Sequence, residues 1–271
     1  MRTSMSQCYF PEDSYVTPEG LTTPFALRFP SLFFFWHEFN IVRRNGNLAS
    51  AGKYDGSDWS AGSYDTVRLL ERCGLRFYVE GLNNIDAFDG PCVFIGNHVS
   101  TLETLALPCF IQPRKPVTFV VKQGLLAYPW FGAVLKSREP LVVKHRSPRE
   151  DFATVMEEGR ERLGRGMSVI VFPQGLRTTT CEPEQFNSIG IKLAKKAGVP
   201  VVPLALRTDA WKNGRIIKDF GGLDPSRPVR FTFGQPLWVE GNGKAEHTAV
   251  CDFIVEHWRE WHLPEAGLPP R

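Results

Sequence analysis

Short apolar runs recur through the middle of the chain. Residues 92–95, 117–121, 141–143, 168–172, 201–206 and 229–233 are rich in β-branched and aromatic side chains and are bounded by Gly, Pro or charged residues. Runs of this length and composition predict buried strands, and 76–80 predicts another. Between them the apolar period lengthens to that of a helix. Ser147 caps one helix, with Pro148 at its first position, Glu150 at its third, and an apolar stripe of Phe152, Val155, Met156 and Leu163 that stops at Gly164. A second helix, from about 184, carries Phe186, Ile189, Leu193 and Ala197 and ends at Gly198; a third spans about 245–261. Strands alternating with helices predict an α/β fold, a largely parallel central sheet flanked by helices.

The N-terminal part lacks this alternation. Residues 1–24 look irregular. Phe25, Phe29, Phe33, Phe34, Phe35, Trp36 and Phe39 then crowd one segment, followed by Arg43 and Arg44. The segment is shorter than the roughly 20 apolar residues a bilayer span needs, and Arg28, Pro30, His37 and Glu38 interrupt it. Aromatic residues flanked by cations suit a helix lying in a membrane interface; a helix packed on the core would carry the same residues. Residues 45–62, rich in Gly, Ser, Ala and Asp, predict a loop or linker, with a short helix over about 64–72. The chain therefore divides into an N-terminal segment with aromatic helix and linker (1–75), a central domain (76–240), and a C-terminal amphipathic helix and tail (241–271).

Composition narrows the function. A chain of 271 residues, 42% hydrophobic and 23% charged, can bury one full core. A net charge of +3 is mildly basic, suited to anionic lipid or CoA-like substrates and weak for nucleic acid, which is not expected as a partner. The six cysteines have no paired spacing and several fall in apolar runs, which points to a reducing, cytosolic compartment. Pro, Glu and Asp precede any apolar run, unlike a secretory signal. No HExxH or paired His/Cys spacing suggests a metal.

Two strand ends carry candidate chemistry. Gly96-Asn97-His98-Val99-Ser100-Thr101-Leu102-Glu103 follows the 92–95 strand, placing a histidine where a strand ends and a helix begins, the edge at which ligands collect in an open α/β sheet. Histidine can act as a general base near neutral pH, and Glu103 in the first helical turn can reach back to fix its tautomer. Ser100-x-x-Glu103 is equally a capping box. Backbone N–H groups near Ser100 are placed to stabilise an oxyanion. After the 168–172 strand comes Pro173-Gln174-Gly175-Leu176-Arg177-Thr178, where glycine permits close backbone approach and arginine can grip a phosphate; an ordinary Pro-Gly turn would look the same. Lys144-His145-Arg146 adds cations after a third strand, or forms a solvated charge run.

NHxSxxE at 97–103, FPQGLR at 172–177 and VPVVPL at 199–204, in that order, resemble the glycerolipid acyltransferases, the lysophosphatidic acid acyltransferase family with an HX4D motif. Lys122 and Pro129-x-x-Gly132 resemble the segment between the first two motifs, and the likeness covers about 76–240. It implies that 76–240 is the catalytic domain. It implies acyl transfer from acyl-CoA or acyl carrier protein to a lysophospholipid hydroxyl, most simply of 1-acyl-glycerol-3-phosphate. His98 and Glu103 would be catalytic; Lys144, Arg146, Gln174, Gly175 and Arg177 would bind the acceptor. The donor is a substrate, so no cofactor or metal is expected. The N-terminal helix would dock on the cytoplasmic side of a membrane, making the protein peripheral or monotopic. Two departures stand out. Glu103 replaces the family's aspartate, and Gln174 replaces the glutamate of FPEG, which leaves room for another acceptor such as a lyso-aminolipid. A degenerate lipid-binding protein is a further alternative. A serine hydrolase is disfavoured by the lack of any GxSxG.

Overall fold

In the computed structural model, residues 7–144, 147–178, 180–214 and 217–263 are described. In chain order the elements are β1 (Tyr15–Val16), α1 (Pro24–Arg28), α2 (Pro30–Ser50), α3 (Gly56–Arg72), β2 (Phe77–Glu80), α4 (Asn83–Asp86), β3 (Val93–Gly96), α5 (Leu102–Ile111), β4 (Val117–Lys122), α6 (Phe131–Ser137), β5 (Leu141–Val143), α7 (Pro148–Gly164), β6 (Ser168–Val171), α8 (Ile189–Ala197), β7 (Val201–Arg207), β8 (Val229–Phe233) and α9 (Lys244–His262). The strands form one sheet in the order β1-β2-β8-β7-β3-β6-β4-β5. From β7 to β5 neighbours run parallel, while β8 pairs antiparallel with β7 and β1 with β2.

The continuous apolar runs are explained by burial on both faces. Val93 and Ile95 point to one side with Val169 and Val171, and pack under α7, α8 and α9 through Val155, Ile191 and Ile254. Phe94 and Ile170 point to the other side, toward Val67 and Leu70 of α3 and Leu107 of α5. Ser147 accepts from the Glu150 N–H at the start of α7, as its sequence implies, and Gly198 closes α8 at a φ of 68°.

Two expectations fail locally. The 45–62 stretch is helical at both ends, with only a short connection between α2 and α3. Its small residues serve helix contact: a Cβ on Gly46 would lie 2.3 Å from that of Trp130, and one on Gly62 would lie 2.1 Å from the Asn45 amide nitrogen. Asp55 caps α3 in a reciprocal pair with Asp58. The helix expected from about 184 begins only at Ile189, after a single 3₁₀ turn at Pro183–Gln185. Phe186 is buried from that turn instead.

The aromatic segment has two faces. Phe34 is fully buried against Trp211, while Phe25, Leu27, Phe29, Leu32 and Trp36 are exposed. Among the described residues no helix is long and apolar enough to cross a membrane.

Candidate functional site

The order β7-β3-β6-β4 brings the C-terminal ends of parallel strands to one edge, so the turns after β3 and β6 become neighbours although they lie far apart in sequence. Asn97 anchors the first turn. Its buried amide donates to the Leu206 carbonyl and accepts from the Leu206 N–H, both at 2.8 Å, like a ladder rung extended onto β7. His98 follows and is held through its backbone by the second turn: its N–H donates to Gln174 Oε1 at 2.8 Å, and its carbonyl accepts from the Thr178 N–H at 2.9 Å. The imidazole stacks on Phe172, with centroids 4.4 Å apart and planes 8° from parallel.

Glu103, fully buried, sits behind the ring. Its Oε1 lies 2.8 Å from His98 Nδ1 and accepts from the N–H groups of Val99 (2.6 Å) and Ser100 (2.8 Å). Its Oε2 accepts from Ser100 Oγ at 3.0 Å and Thr208 Oγ1 at 2.5 Å. Burial alone would raise this carboxyl. The hydrogen bond and charge attraction of His98, with the Thr208 hydroxyl and the Ser100 N–H, outweigh it and hold the carboxyl below the usual range. An ionised carboxylate only accepts, so Nδ1 carries a proton, and in the neutral imidazole the lone pair is then on Nε2. The same side chain thus meets the backbone N–H of Ser100 as a capping residue does and orients the histidine. The reciprocal half of the capping box is absent: α5 starts at Leu102, whose N–H donates to Ser100 Oγ.

Three of the N–H groups near Ser100 expected to meet an oxyanion are engaged within the turn itself. Those of Val99 and Ser100 point to Glu103, and that of Leu102 to Ser100 Oγ.

His98 lines a cavity of about 930 Å³ whose walls come from α2, α3, α5, the β4–α6 connection and the second turn. Gly175 and Arg177 line it with His98; Gly175 has a φ of 71°. Arg177 already holds a carboxylate: its Nη2 lies 2.7 Å from Asp219 Oδ1, and its Nη1 donates to Thr101 Oγ1. Tyr128 donates to the other Asp219 oxygen at 3.0 Å. Gln174 bridges the turns, donating from Nε2 to the Thr180 carbonyl and Gln185 Oε1. Lys144 sits exposed at the end of the edge strand β5, with its N–H on Asp151 Oδ1, and the nearby cavity wall is Val143, Pro148 and Phe152. His145 and Arg146 lie outside the described residues. The structure therefore gathers His98, Glu103, Gly175 and Arg177, puts Gln174 beneath them, and leaves Lys144 three strand positions from β3.

Residues 76–207 match the family model described as Acyltransferase. This stretch, just under half of the chain, is similar to the acyltransferase family. The chain is 36% identical over 170 residues to the 1-acyl-sn-glycerol-3-phosphate acyltransferase of Pseudomonas aeruginosa, covering 63% of the chain and 62% of that protein. It is 31% identical over 128 residues to the chloroplastic enzyme BAT2 of Brassica napus, covering 47% of the chain and 36% of that protein. The chain thus spans less than two thirds of the length of these curated relatives. The crystal structure of the 1-acyl-sn-glycerophosphate acyltransferase of Thermotoga maritima shares the fold, with a TM-score of 0.66 at 18% identity over 87% of this chain and 96% of that one.

Sequence reasoning missed Thr208, Asp219 and Tyr128. Thr208 directly follows β7, just as His98 and Gln174 follow their strands, and the strand-end rule would have flagged it. Asp219 lies in an irregular stretch without a local signal. Glu38 was visible only as a lone carboxylate among aromatics. It is buried in the cavity wall, where its oxygens accept from Thr66 Oγ1 at 3.0 and 3.2 Å. Burial pushes its carboxyl up to about 7, the Thr66 hydroxyl pulling down and Asp65 adding a smaller rise.

A raised folded-state pKa supports folding only while the group is protonated. Glu38's contribution is whole below 4.5 and is lost as pH rises through about 7, a change of about 3 kcal/mol. Glu38→Gln, neutral at every pH, will therefore melt several degrees above the parent at pH 8 and level with it at pH 4. A gain of equal size at both pH values would show that ionisation is not the cause.

Proposed function

We propose that the protein is an O-acyltransferase that moves a fatty acyl chain from acyl-CoA or acyl carrier protein to the hydroxyl of a lysophospholipid, 1-acyl-glycerol-3-phosphate being the foremost acceptor. The observation that carries this reading is a buried, ionised Glu103 bonded to His98 Nδ1 at 2.8 Å, with His98 on the wall of a large, mainly apolar cavity. His98 Nε2 takes the acceptor's hydroxyl proton as its oxygen attacks the thioester carbonyl. The tetrahedral adduct collapses, the C–S bond breaks, and Nε2–H returns the proton to the departing thiolate. The thioester is already activated, so no protein nucleophile is needed. Gln174 and Phe172 act by positioning His98. Mass spectrometry of products from a panel of lysolipids and acyl donors tests the reading. Binding of lipid without turnover of any pair would make the protein a degenerate lipid binder.

Arg177 is the proposed phosphate ligand, and Asp219 competes with that phosphate for its guanidinium. The same carboxylate favours a second reading, an acceptor bearing an ammonium group such as a lyso-aminolipid. Asp219→Asn separates them: it will lower KM for a phosphate acceptor by about tenfold, on the scale of one charge-assisted contact, and raise KM for an amine acceptor. If neither KM moves, Asp219 only ties its loop to the cavity.

The exposed row Phe25, Phe29, Leu32 and Trp36, beside exposed Arg28 and Arg43, is the proposed membrane-docking face, on the cytoplasmic side. Arg44 is paired with Asp65 at 2.6 Å. Deleting the segment would also remove Phe34 from the core, so point changes are the sharper probe. Leu32→Ser with Trp36→Ser will weaken binding to anionic vesicles at least tenfold, since each buried apolar side chain contributes about 1.5–3 kcal/mol, and will leave the melting temperature nearly unchanged. Undiminished vesicle binding would remove this face from consideration.

A further inference from the structure

The cavity is apolar along most of its wall, which makes its few buried polar atoms informative. Glu38 is 6% exposed and lines it. Its partner Thr66 Oγ1 lies within hydrogen-bond distance of both Glu38 oxygens and of the Gly62 carbonyl at 3.1 Å. One hydroxyl proton cannot serve all three, so a carboxyl valence stays open whichever way the hydroxyl turns. Trp211, only 3% exposed, lines the same cavity, and its Nε1 has no hydrogen-bond partner among the described residues. Its ring packs edge-on against Phe34 and Phe35, one turn before Glu38 on α2. Buried donors without acceptors are costly in a folded protein unless something else fills the role. Leu, Phe or Val at these positions would line an apolar cavity at no such cost.

We propose that Glu38, Thr66 and Trp211 form a polar station in the cavity wall that binds an oxygen carried by the lipid, either the carbonyl of the acceptor's resident ester or a hydroxyl on an acyl chain. This rests on the acyl-transfer reading for the identity of the lipids. A site built to hydrogen-bond an oxygen rejects the analogue lacking it, because its own buried groups are then left unpaired. The station would thus add chemical selection to a cavity that otherwise measures only length and bulk.

Two matched substrate pairs test it. One compares a monoacyl with a monoalkyl-ether glycerophosphate acceptor; the other compares a hydroxyacyl-CoA with the unsubstituted acyl-CoA of equal length. The parent protein will favour the oxygen-bearing member of one pair by about tenfold in kcat/KM, and that pair identifies the source. Glu38→Leu and Trp211→Phe will bring the ratio to near one, and Glu38→Gln, which retains a donor and the shape, will keep most of it. The same comparison is made without turnover, from melting-temperature shifts with monoacylglycerol against monoalkylglycerol and with hydroxystearate against stearate. Preference in the shifts from a parent that turns over no pair would leave the station standing and overturn the acyl-transfer reading. No preference in either pair by either measure, or a preference that survives both Glu38→Leu and Trp211→Phe, overturns the station.

Discussion

Replacing His98 by alanine will lower kcat by about 10²–10⁴-fold, or roughly 3–5 kcal/mol of barrier, the range expected when a general base is lost. The fold should tolerate the change. The backbone contacts to Gln174 and Thr178 do not depend on the ring, and Glu103 keeps the Val99, Ser100 and Thr208 donors. What goes is the stack on Phe172 and one hydrogen bond to the carboxylate. Turnover and melting temperature measured on the same preparation decide the matter. Near-normal kcat in a folded His98→Ala protein would remove His98 from the chemistry.

Glu103 gives the second large effect, and two substitutions divide it. Glu103→Ala strips a common acceptor from His98, Val99, Ser100 and Thr208 in a fully buried place. Leaving such donors unpaired will destabilise the protein by about 3–5 kcal/mol. Glu103→Gln retains one oxygen for the three N–H donors and places an amide NH₂ where Ser100 Oγ and Thr208 Oγ1 can rotate to accept it. Its melting temperature will stay close to the parent's, yet kcat will fall at least about tenfold, because a neutral amide cannot stabilise the imidazolium formed in proton transfer. Full activity in Glu103→Gln would make the residue a purely structural acceptor. The depressed carboxyl also sets a pH dependence. Its stabilisation is present above the unfolded carboxylate range and is lost as pH falls through the lower folded value. Acid melting of the parent will therefore be steeper than that of Glu103→Gln.

Much of this site was legible because it is local. His98, Ser100 and Glu103 lie within six residues, and a strand-to-helix turn places them together whatever the rest of the chain does. The β3 and β6 runs were equally plain, because strands buried on both faces must be almost wholly apolar. The failures share another cause. Gly46 and Gly62 resemble loop residues in sequence, yet they are small because Trp130 and Asn45 press against them. Nothing near Asn97 announces Leu206, and nothing near Arg177 announces Asp219. Those pairings depend on sheet order, which a linear pattern does not specify. Gln174 is tied to the acceptor by the resemblance alone; in the structure its side-chain carbonyl oxygen accepts from the His98 N–H, a contact no local pattern announces.

The sheet order also imposes a timetable. β6 lies between β3 and β4, so it must insert between strands made earlier. The backbone clamp on His98 joins residues 76 positions apart, and the Thr208 hydroxyl reaches Glu103 across 105. A nascent chain emerging from the ribosome up to α7 carries the histidine and its carboxylate, but neither the Gln174 clamp nor the Thr208 hydroxyl. The full set of contacts around the pair is complete only after β7 has followed. Synthesis thus delivers the reactive group first, its backbone clamp 76 residues later, and the hydroxyl that completes the carboxylate's shell 105 residues after Glu103.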